Sequence, residues 1–124
     1  LHPRVRRQRQ MCIRDSPYIV KTFNFHIMEY DQIINTTPVV LVEFFATWCP
    51  HCKRMMPVVE QIRELLSGSA DIYQLDIDQN DEVAQAQEVE SVPTFIIYKK
   101  GREMWRQSGE IDGQELLSKI QSYM

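Results

Sequence analysis

The heptapeptide VVLVEFF, Val39 to Phe45, constrains the fold more than any other stretch of the chain. Six of its seven residues are apolar, and Glu43 is the one exception. Such a run of strand-forming residues is typical of a β-strand that is covered on both faces. Apolar residues then recur at helical spacing from Cys49 to Leu66, so we predict that a long helix follows this strand.

The rest of the chain continues the alternation of strands and helices. A short helix is predicted at 29–35, where the following Thr-Thr-Pro ends it. The later predicted elements are a strand at 71–77, a helix at 80–89 capped by Asn80, a strand at 94–99, a turn at KKG, a polar edge strand at 102–109 and a helix at 113–123 capped by Asp112. This order predicts an α/β domain with a hairpin and a closing helix at its end.

Length and charge limit what the chain binds. Its 124 residues, 44% of them hydrophobic, suit one globular domain with an ordinary core. No apolar run reaches the roughly 18 residues of a membrane span, so we expect no membrane partner. From Pro17 onward there are nine Lys and Arg residues and sixteen Asp and Glu residues, a net charge of −7. This acidic balance argues against nucleic acid as a partner, and we expect a monomer.

The first sixteen residues differ in composition from the rest. They hold five arginines with hardly any apolar periodicity, which predicts a disordered basic arm. Arg6–Ser16 also resembles the in-frame translation of a sequencing-library adaptor, and we interpret residues 1–16 as a non-native tail of that origin. Cys12 would then not be a biological thiol.

Residues 17–27 admit two interpretations. Their Ile, Val, Thr and Phe residues favour a first β-strand, whereas their many amino acids with A/T-rich codons are typical of an untranslated region translated in error. In the second case Met28 is the native start, the domain spans 28–124, and the absence of an export signal predicts the cytoplasm. A periplasmic form stays open, because a misread start would hide an original leader.

WCPHC, Trp48 to Cys52, places two cysteines three positions apart, and a redox pair, half of a metal site and chance are the possible explanations. Cys49 stands where the buried strand ends and the long helix begins, so its sulfur should lie near unpaired helix N–H groups. Those groups, the helix dipole and a protonated His51 favour the thiolate of Cys49. Cys52, one turn further on, is within disulfide reach, which is the minimum apparatus for thiol–disulfide exchange.

The motifs of this chain resemble those of the thioredoxin family. VEFFATWCPHCK, Pro57, LDID at 75–78, VPTF at 92–95, KKG at 99–101 and Gly109 follow the family's order and approximate spacing. The resemblance covers residues 28–124 and implies the thioredoxin fold, a central mixed β-sheet of four to five strands flanked by helices. It also implies a thiol–disulfide oxidoreductase without a bound cofactor, which acts on protein substrates and is recharged by a reductase or other electron donor.

The resemblance assigns roles to residues around the cysteine pair. Cys49 is expected to be the attacking nucleophile and Cys52 the buried resolving cysteine. Trp48 should flank the pair, and Lys53 completes the matching motif and should modulate the site.

Three distant residues are expected to form the substrate groove. By resemblance, Val92 and Gly109 line the groove where the extended backbone of a substrate docks. Pro93 matches the family's cis-proline, which has no N–H and leaves nearby carbonyls free for the substrate. The alternative is an ordinary trans turn at Val92-Pro93.

Glu43 interrupts an apolar strand, and a buried carboxylate is unfavourable unless something uses it. The resemblance makes it the buried acid that exchanges a proton with the resolving cysteine. Desolvation should raise its pKa towards the working pH. Thioredoxins commonly pair this acid with a lysine on the next strand, but the matching position here is Gln74, which leaves the proton relay open. The alternative is that Glu43 is a buried acid whose hydrogen bonds are satisfied and which has no catalytic role.

Pro50 and His51 replace the Gly-Pro of ordinary thioredoxins and match the Pro-His of periplasmic oxidases of the DsbA type. His51 is expected to hold the thiolate more firmly, which stabilises the reduced form. We predict a reduction potential between about −270 mV, as in thioredoxin, and about −120 mV, as in DsbA. The chain is too short for the helical insertion of those oxidases, which favours a reductant or general oxidoreductase. An inert, solvent-facing His51 is the alternative.

A binding module is the rival function, in which the CxxC holds a metal ion or an iron–sulfur cluster at a dimer interface. Zinc and such clusters take four ligands, whereas Cys49 and Cys52 supply two and the sequence offers no second Cys/His pair. We therefore predict a site without metal.

Overall fold

The computed structural model describes residues 27–124, and the predictions for residues 1–26, including the adaptor-like tail and the alternative first strand, lie outside this part. The elements are helix α1 (Ile27–Ile33), strand β1 (Val39–Phe45), helix α2 (Pro50–Leu65), strand β2 (Asp71–Asp76), helix α3 (Asp81–Ala86), strand β3 (Thr94–Lys99), strand β4 (Arg102–Ser108) and helix α4 (Gly113–Ser122). Their order is the predicted one. No helix in residues 27–124 is long and apolar enough to cross a lipid bilayer.

The four strands of the described part form one mixed sheet in the order β2-β1-β3-β4. β1 runs parallel to β2 and antiparallel to β3, and all seven of its residues are buried. A parallel pair needs a crossover connection, and helix α2 supplies it. The α/β class, the doubly covered strand and the mixed sheet are thus confirmed.

Alternate residues of β1 belong to two hydrophobic cores on opposite faces of the sheet. Val39 and Leu41 pack with the apolar sides of α2 and α4. Val40, Val42 and Phe44 pack with those of α1 and α3. Helices therefore cover both faces, which explains why β1 tolerates so few polar residues.

The hairpin between β3 and β4 is closed by Lys100 and Gly101, whose φ angles are 53° and 80°. A two-residue turn with two positive φ angles suits the twist of antiparallel strands and favours glycine. A Cβ at Gly101 would also meet the end of the exposed Asn35 side chain, which would have to move. The tight turn predicted from KKG is therefore present, and the positive φ angle favours glycine at its second position.

The two predicted helix caps have different outcomes. Asp112 accepts a hydrogen bond from the backbone N–H of Glu115 at 3.2 Å, as predicted for the cap of α4. Asn80 occupies the N-cap position of α3, but within the described residues its side chain accepts no capping bond. Its Nδ2 instead donates to the carbonyl oxygen of Asp76 at 3.0 Å. The predicted capping role of Asn80 was wrong, because its amide joins the end of β2 to the start of α3.

Candidate active site

The two cysteines lie where β1 ends and α2 begins. Cys49 is the N-cap residue of α2, with extended backbone angles (φ −91°, ψ 121°). Pro50 takes the first helical position, where the missing N–H has no intrahelical partner to lose. Cys52 follows on the buried side of the first turn. Both are free thiols, exposed by only 6% and 1%, and they pack with Phe45 and Ala46.

Each sulfur is hydrogen-bonded to the backbone of a different segment. The N–H of Ala46 donates to Sγ of Cys52 at 3.4 Å. The thiol of Cys49 donates to the carbonyl oxygen of Val92 at 3.9 Å. Cys49 occupies the expected position at the start of α2, but within the described residues its sulfur accepts no hydrogen bond that caps the helix. The thiol faces Val92, and Pro50 has no N–H to offer it.

The Cys52 thiol needs a base before it can react. Its burial raises its pKa well above the ordinary value, the Ala46 N–H opposes this, and the negative charges of Glu43 and Cys49 raise it further. Cys52 is therefore a neutral thiol at physiological pH. A nucleophilic Cys52 thiolate forms only if a nearby group takes its proton.

The Val92–Pro93 peptide bond is cis, as the resemblance implied. Val92 packs against the cluster that contains both cysteines, and its carbonyl is the partner of the Cys49 thiol. The backbone N–H of Gly109 donates to the carbonyl oxygen of Pro93 at 2.8 Å. The structure thus brings Val92, Pro93 and Gly109 together beside Cys49, although they come from two separate parts of the sequence.

Trp48 and Lys53 lie on either side of the cysteine pair in sequence and are both exposed. The Trp48 side chain is 42% exposed, and its indole Nε1 donates to Oδ2 of Asp78 at 2.9 Å. This bond fixes the ring just before Cys49 and leaves part of its surface exposed. The Lys53 backbone N–H donates to the carbonyl of Cys49 at 3.1 Å, in the first turn of α2.

Glu43 is 1% exposed and lies on the same face of β1 as Leu41 and Phe45. Its register partner on β2 is Gln74. This is the position that the sequence had matched to the lysine of thioredoxins. Nε2 of Gln74 donates to Oε1 of Glu43 at 2.9 Å. Burial raises the pKa of Glu43 from 4.5 to about 7, while the Gln74 bond and the charge of Arg63 oppose the rise. The predicted direction of this shift is confirmed.

His51 belongs to a charged cluster at the surface. Its Nδ1 lies 2.5 Å from Oε2 of Glu110 and 2.8 Å from an amino nitrogen of Arg54. Arg54 also donates to Oε2 of Glu110 from Nε at 3.0 Å and from the amino nitrogen at 2.7 Å. The hydrogen bonds of Arg54 and His51 hold the pKa of Glu110 below its usual range. The imidazole is thus exposed over 57% of its surface and also contacts Glu110 and Arg54.

Arg54 and Glu110 were not among the residues selected from the sequence. The pKa of Arg54 is raised by its bonds to Glu110 and also by the charge of Cys49. Glu110 follows Gly109 directly but is 59 residues from His51, so only the fold brings the two together. The spacing of His51 and Arg54, three apart on one helix, was the available sequence signal for the first part of the cluster.

Among residues 27–124, no group of three or more His, Cys, Asp or Glu side chains is placed to hold a metal ion.

These features define a dithiol protein in which a buried strand, a helix and a cis-proline loop meet at a Cys-Pro-His-Cys motif. The thioredoxin family profile matches residues 21–122, and the chain belongs to the thioredoxin family. It is a thiol–disulfide oxidoreductase, because this is the activity that defines thioredoxins.

Individual relatives agree with this assignment. The chain is 45% identical to Thioredoxin-2 of Saccharomyces cerevisiae over 82 residues, which cover 65% of this chain and 78% of the yeast protein. Among solved structures, it resembles a mutant thioredoxin from Halobacterium salinarum with a TM-score of 0.74 and 31% identity, over 82% of this chain and 88% of the other. The oxidised thioredoxin of Plasmodium falciparum gives a TM-score of 0.72 and 32% identity, over 84% and 97%.

Proposed function

We propose that Cys49 and Cys52 exchange disulfides with protein substrates and that Glu43 takes the proton of Cys52. The Cys49 thiolate attacks a substrate disulfide, forms a mixed disulfide and releases one substrate thiolate. Glu43 then accepts the proton of the Cys52 thiol. The resulting Cys52 thiolate attacks the Cys49 sulfur, releases the second substrate thiolate and leaves a Cys49–Cys52 disulfide. The substrate gains two electrons, which the protein dithiol loses.

The observation that carries this proposal is the pairing of a buried thiol with a buried carboxyl group near the end of β1. Cys52 is neutral at physiological pH because burial raises its pKa, so it needs a base. The pKa of Glu43, about 7, lies where a carboxylate is partly ionised and strong enough to accept a proton. The negative charge of Glu43 raises the pKa of the Cys52 thiol, and this interaction supports Glu43 as the base for Cys52.

Trp48, Val92, Pro93 and Gly109 would bind the substrate around the reacting sulfur. The exposed indole of Trp48 offers an apolar contact beside Cys49. On the other side, Pro93 has no N–H. The carbonyl of Val92 accepts a hydrogen bond from the Cys49 thiol, so this acceptor lies close to the reacting sulfur. An extended substrate backbone laid along this loop would use the same backbone groups.

The Pro50-His51 pair would make the protein more oxidising than an ordinary thioredoxin. A protonated His51 and the neighbouring Arg54 are cations at the start of the helix that carries Cys49, and cations favour its thiolate. Glu110 binds both and partly offsets them. We therefore place the potential between about −270 and −120 mV rather than at the oxidising end.

The partners that follow are protein disulfides or dithiols as substrates and a reductase or other electron donor for recharging. We propose that the protein works as a cytoplasmic monomer, without a bound cofactor and without nucleic-acid or membrane partners. The acidic balance of the chain after residue 17 is the observation that disfavours nucleic acid.

Insulin reduction driven by dithiothreitol tests the function, with metal analysis of the same protein by inductively coupled plasma spectrometry. We expect turnover by the wild type, none by Cys49→Ser, and a stable mixed disulfide with Cys52→Ser. A stoichiometric metal content without turnover would instead support the rival metal or iron–sulfur module.

A further inference from the structure

Arg63, in the last turn of α2, reaches across to β2 and to the partner of Glu43. One of its amino nitrogens donates to Oε1 of Gln74 at 2.8 Å and to the carbonyl of Ile72 at 3.4 Å. The other amino nitrogen forms an ion pair with Glu60 on the same helix. A half-buried guanidinium is therefore held between the helix and the strand.

The chemistry of the guanidinium fixes the orientation of the Gln74 amide. A guanidinium has only hydrogen-bond donors, so the atom that Gln74 turns towards Arg63 must be its carbonyl oxygen. The amide NH₂ is then left facing Glu43, to which it donates at 2.9 Å. Without Arg63 the amide is free to turn over and present its oxygen to Glu43. That arrangement suits a protonated carboxyl group, which can donate, rather than a carboxylate, which can only accept.

We propose that Arg63 is a positioning residue that holds the Gln74 amide as a donor to Glu43 and thereby keeps this buried carboxylate available as the base for Cys52. The inference rests on the proposed role of Glu43. Arg63 is also a cation that is linked to the buried Glu43 by two hydrogen bonds, through the Gln74 amide. This cation comes from helix α2, whereas β2 itself offers an uncharged amide.

The other groups around Glu43 leave this role to Arg63 and Gln74. Its cross-strand partner on β3 is Phe95, which carries no charge. On α2 the titratable neighbour is Cys52, which is a neutral thiol in the reduced protein and part of the disulfide in the oxidised one. On β2, Asp76 lies two residues beyond Gln74, and its Oδ1 accepts from the backbone N–H of Asp78 at 2.9 Å. The positive charge of Arg63 lowers the pKa of Glu43, in the same direction as the Gln74 bond.

Carboxyl ¹³C NMR titration of Glu43 in the oxidised protein tests this directly, because neither cysteine titrates when the disulfide is closed. In Arg63→Met we expect the titration midpoint of Glu43 to rise by about one pH unit. The variant loses the positive charge near Glu43 and the hydrogen bond from the guanidinium that holds the Gln74 amide in place. Arg63→Lys, which keeps a cationic donor, should restore most of the shift. Arg102→Met removes the same charge from an exposed position on β4 and should leave the midpoint unchanged.

Gln74→Leu is the second variant, and it serves in place of Arg63→Met if that protein fails to fold. It removes the amide and leaves Arg63, and the Glu43 midpoint should again rise. The proposal is overturned if the midpoint in Arg63→Met, or in Gln74→Leu as its substitute, equals that in Arg102→Met.

Insulin reduction by the wild type separates the role of Arg63 from that of the cysteine pair. A wild type that reduces insulin, together with an unchanged Glu43 midpoint in Arg63→Met, removes only the role of Arg63. A wild type that does not reduce insulin removes the role of the cysteine pair, whatever the titration shows.

Discussion

Nδ1 of His51 lies 2.5 Å from Oε2 of Glu110, so the central histidine of the Cys-Pro-His-Cys motif contacts a carboxylate that directly follows Gly109 in the sequence. Arg54 binds the same carboxylate oxygen. An imidazole and a guanidinium from the first turns of α2 thus share one carboxylate at the rim of the site. Because both groups are exposed, their effect on Cys49 is that of a screened local field rather than of a buried ion pair.

His51→Gln should make the protein more reducing. Loss of the imidazolium removes a charge that favours the Cys49 thiolate, so the dithiol form loses stability relative to the disulfide. We expect the midpoint potential to fall by at least about 30 mV, which corresponds to a tenfold change in the equilibrium constant for exchange with glutathione. Equilibration with glutathione, followed by Trp48 fluorescence, measures it. Arg102→Gln is the control, and an equal potential in His51→Gln and the wild type would contradict the proposed tuning.

Glu43→Gln should slow the resolving step without slowing the first attack. The amide keeps the size of the side chain and a hydrogen-bond acceptor for Gln74 but cannot take the proton of Cys52. At pH 7 we expect the release of the second substrate thiol to fall by on the order of a hundredfold, a typical general-base contribution. Single-turnover kinetics with a chromogenic disulfide separate the two steps.

Glu64→Gln is the matched control for that measurement, since it makes the same substitution at an exposed position of α2. Similar resolving rates in Glu43→Gln and Glu64→Gln would show that the Cys52 proton leaves by another route.

The features that the sequence predicted correctly depend on local patterns or on a motif with fixed spacing. β1 was predictable because a buried central strand has no polar alternation, and the cis bond at Pro93 followed from the family motif. The hairpin at Lys100 and Gly101 followed from the conformational demands of a short turn.

The charged partners of the site were not predictable in the same way. Arg63 precedes Gln74 by 11 residues, and its contact depends on how α2 crosses the sheet before β2 begins. Glu110 reaches His51 from 59 residues away. Asn80 was mistaken for a cap because its amide nitrogen donates to the carbonyl of Asp76, a partner that only the folded end of β2 brings beside it. Long-range side-chain contacts of this kind leave no periodic trace in a single sequence.

The buried Glu43 should make the oxidised protein less stable as the pH rises. Its pKa is about 7 in the folded protein against 4.5 when exposed, so the folded state binds the proton more tightly. The stabilisation is complete below pH 4.5 and is lost as the pH rises through 7, to a total of about 3 kcal/mol. Urea unfolding of the oxidised protein between pH 4.5 and 8 measures it.

Glu43→Gln should remove this pH dependence, whereas the exposed Glu64→Gln should keep it. If the unfolding free energies of wild type and Glu43→Gln run parallel across the pH range, Glu43 does not carry the coupling.

Gly109→Ala should lower both stability and substrate affinity. The φ angle of Gly109 is 93°, and no atom lies within 4 Å of the position that a Cβ would take. The penalty is therefore backbone strain, which we expect to lower the unfolding free energy by about 1–2 kcal/mol. The added methyl group also projects into the open space of the proposed substrate groove, so the KM for insulin should rise.

Gly68→Ala separates these two effects. Gly68 has a similar φ angle of 85° and equally open space, but it is exposed just after α2 and away from the cysteines. The two alanine variants should lose similar unfolding free energy in urea, because the same left-handed conformation is strained in each. Only Gly109→Ala should raise the KM. An unchanged KM in Gly109→Ala would place the substrate backbone elsewhere, since a groove that includes Gly109 has no room for the methyl group without displacing its ligand.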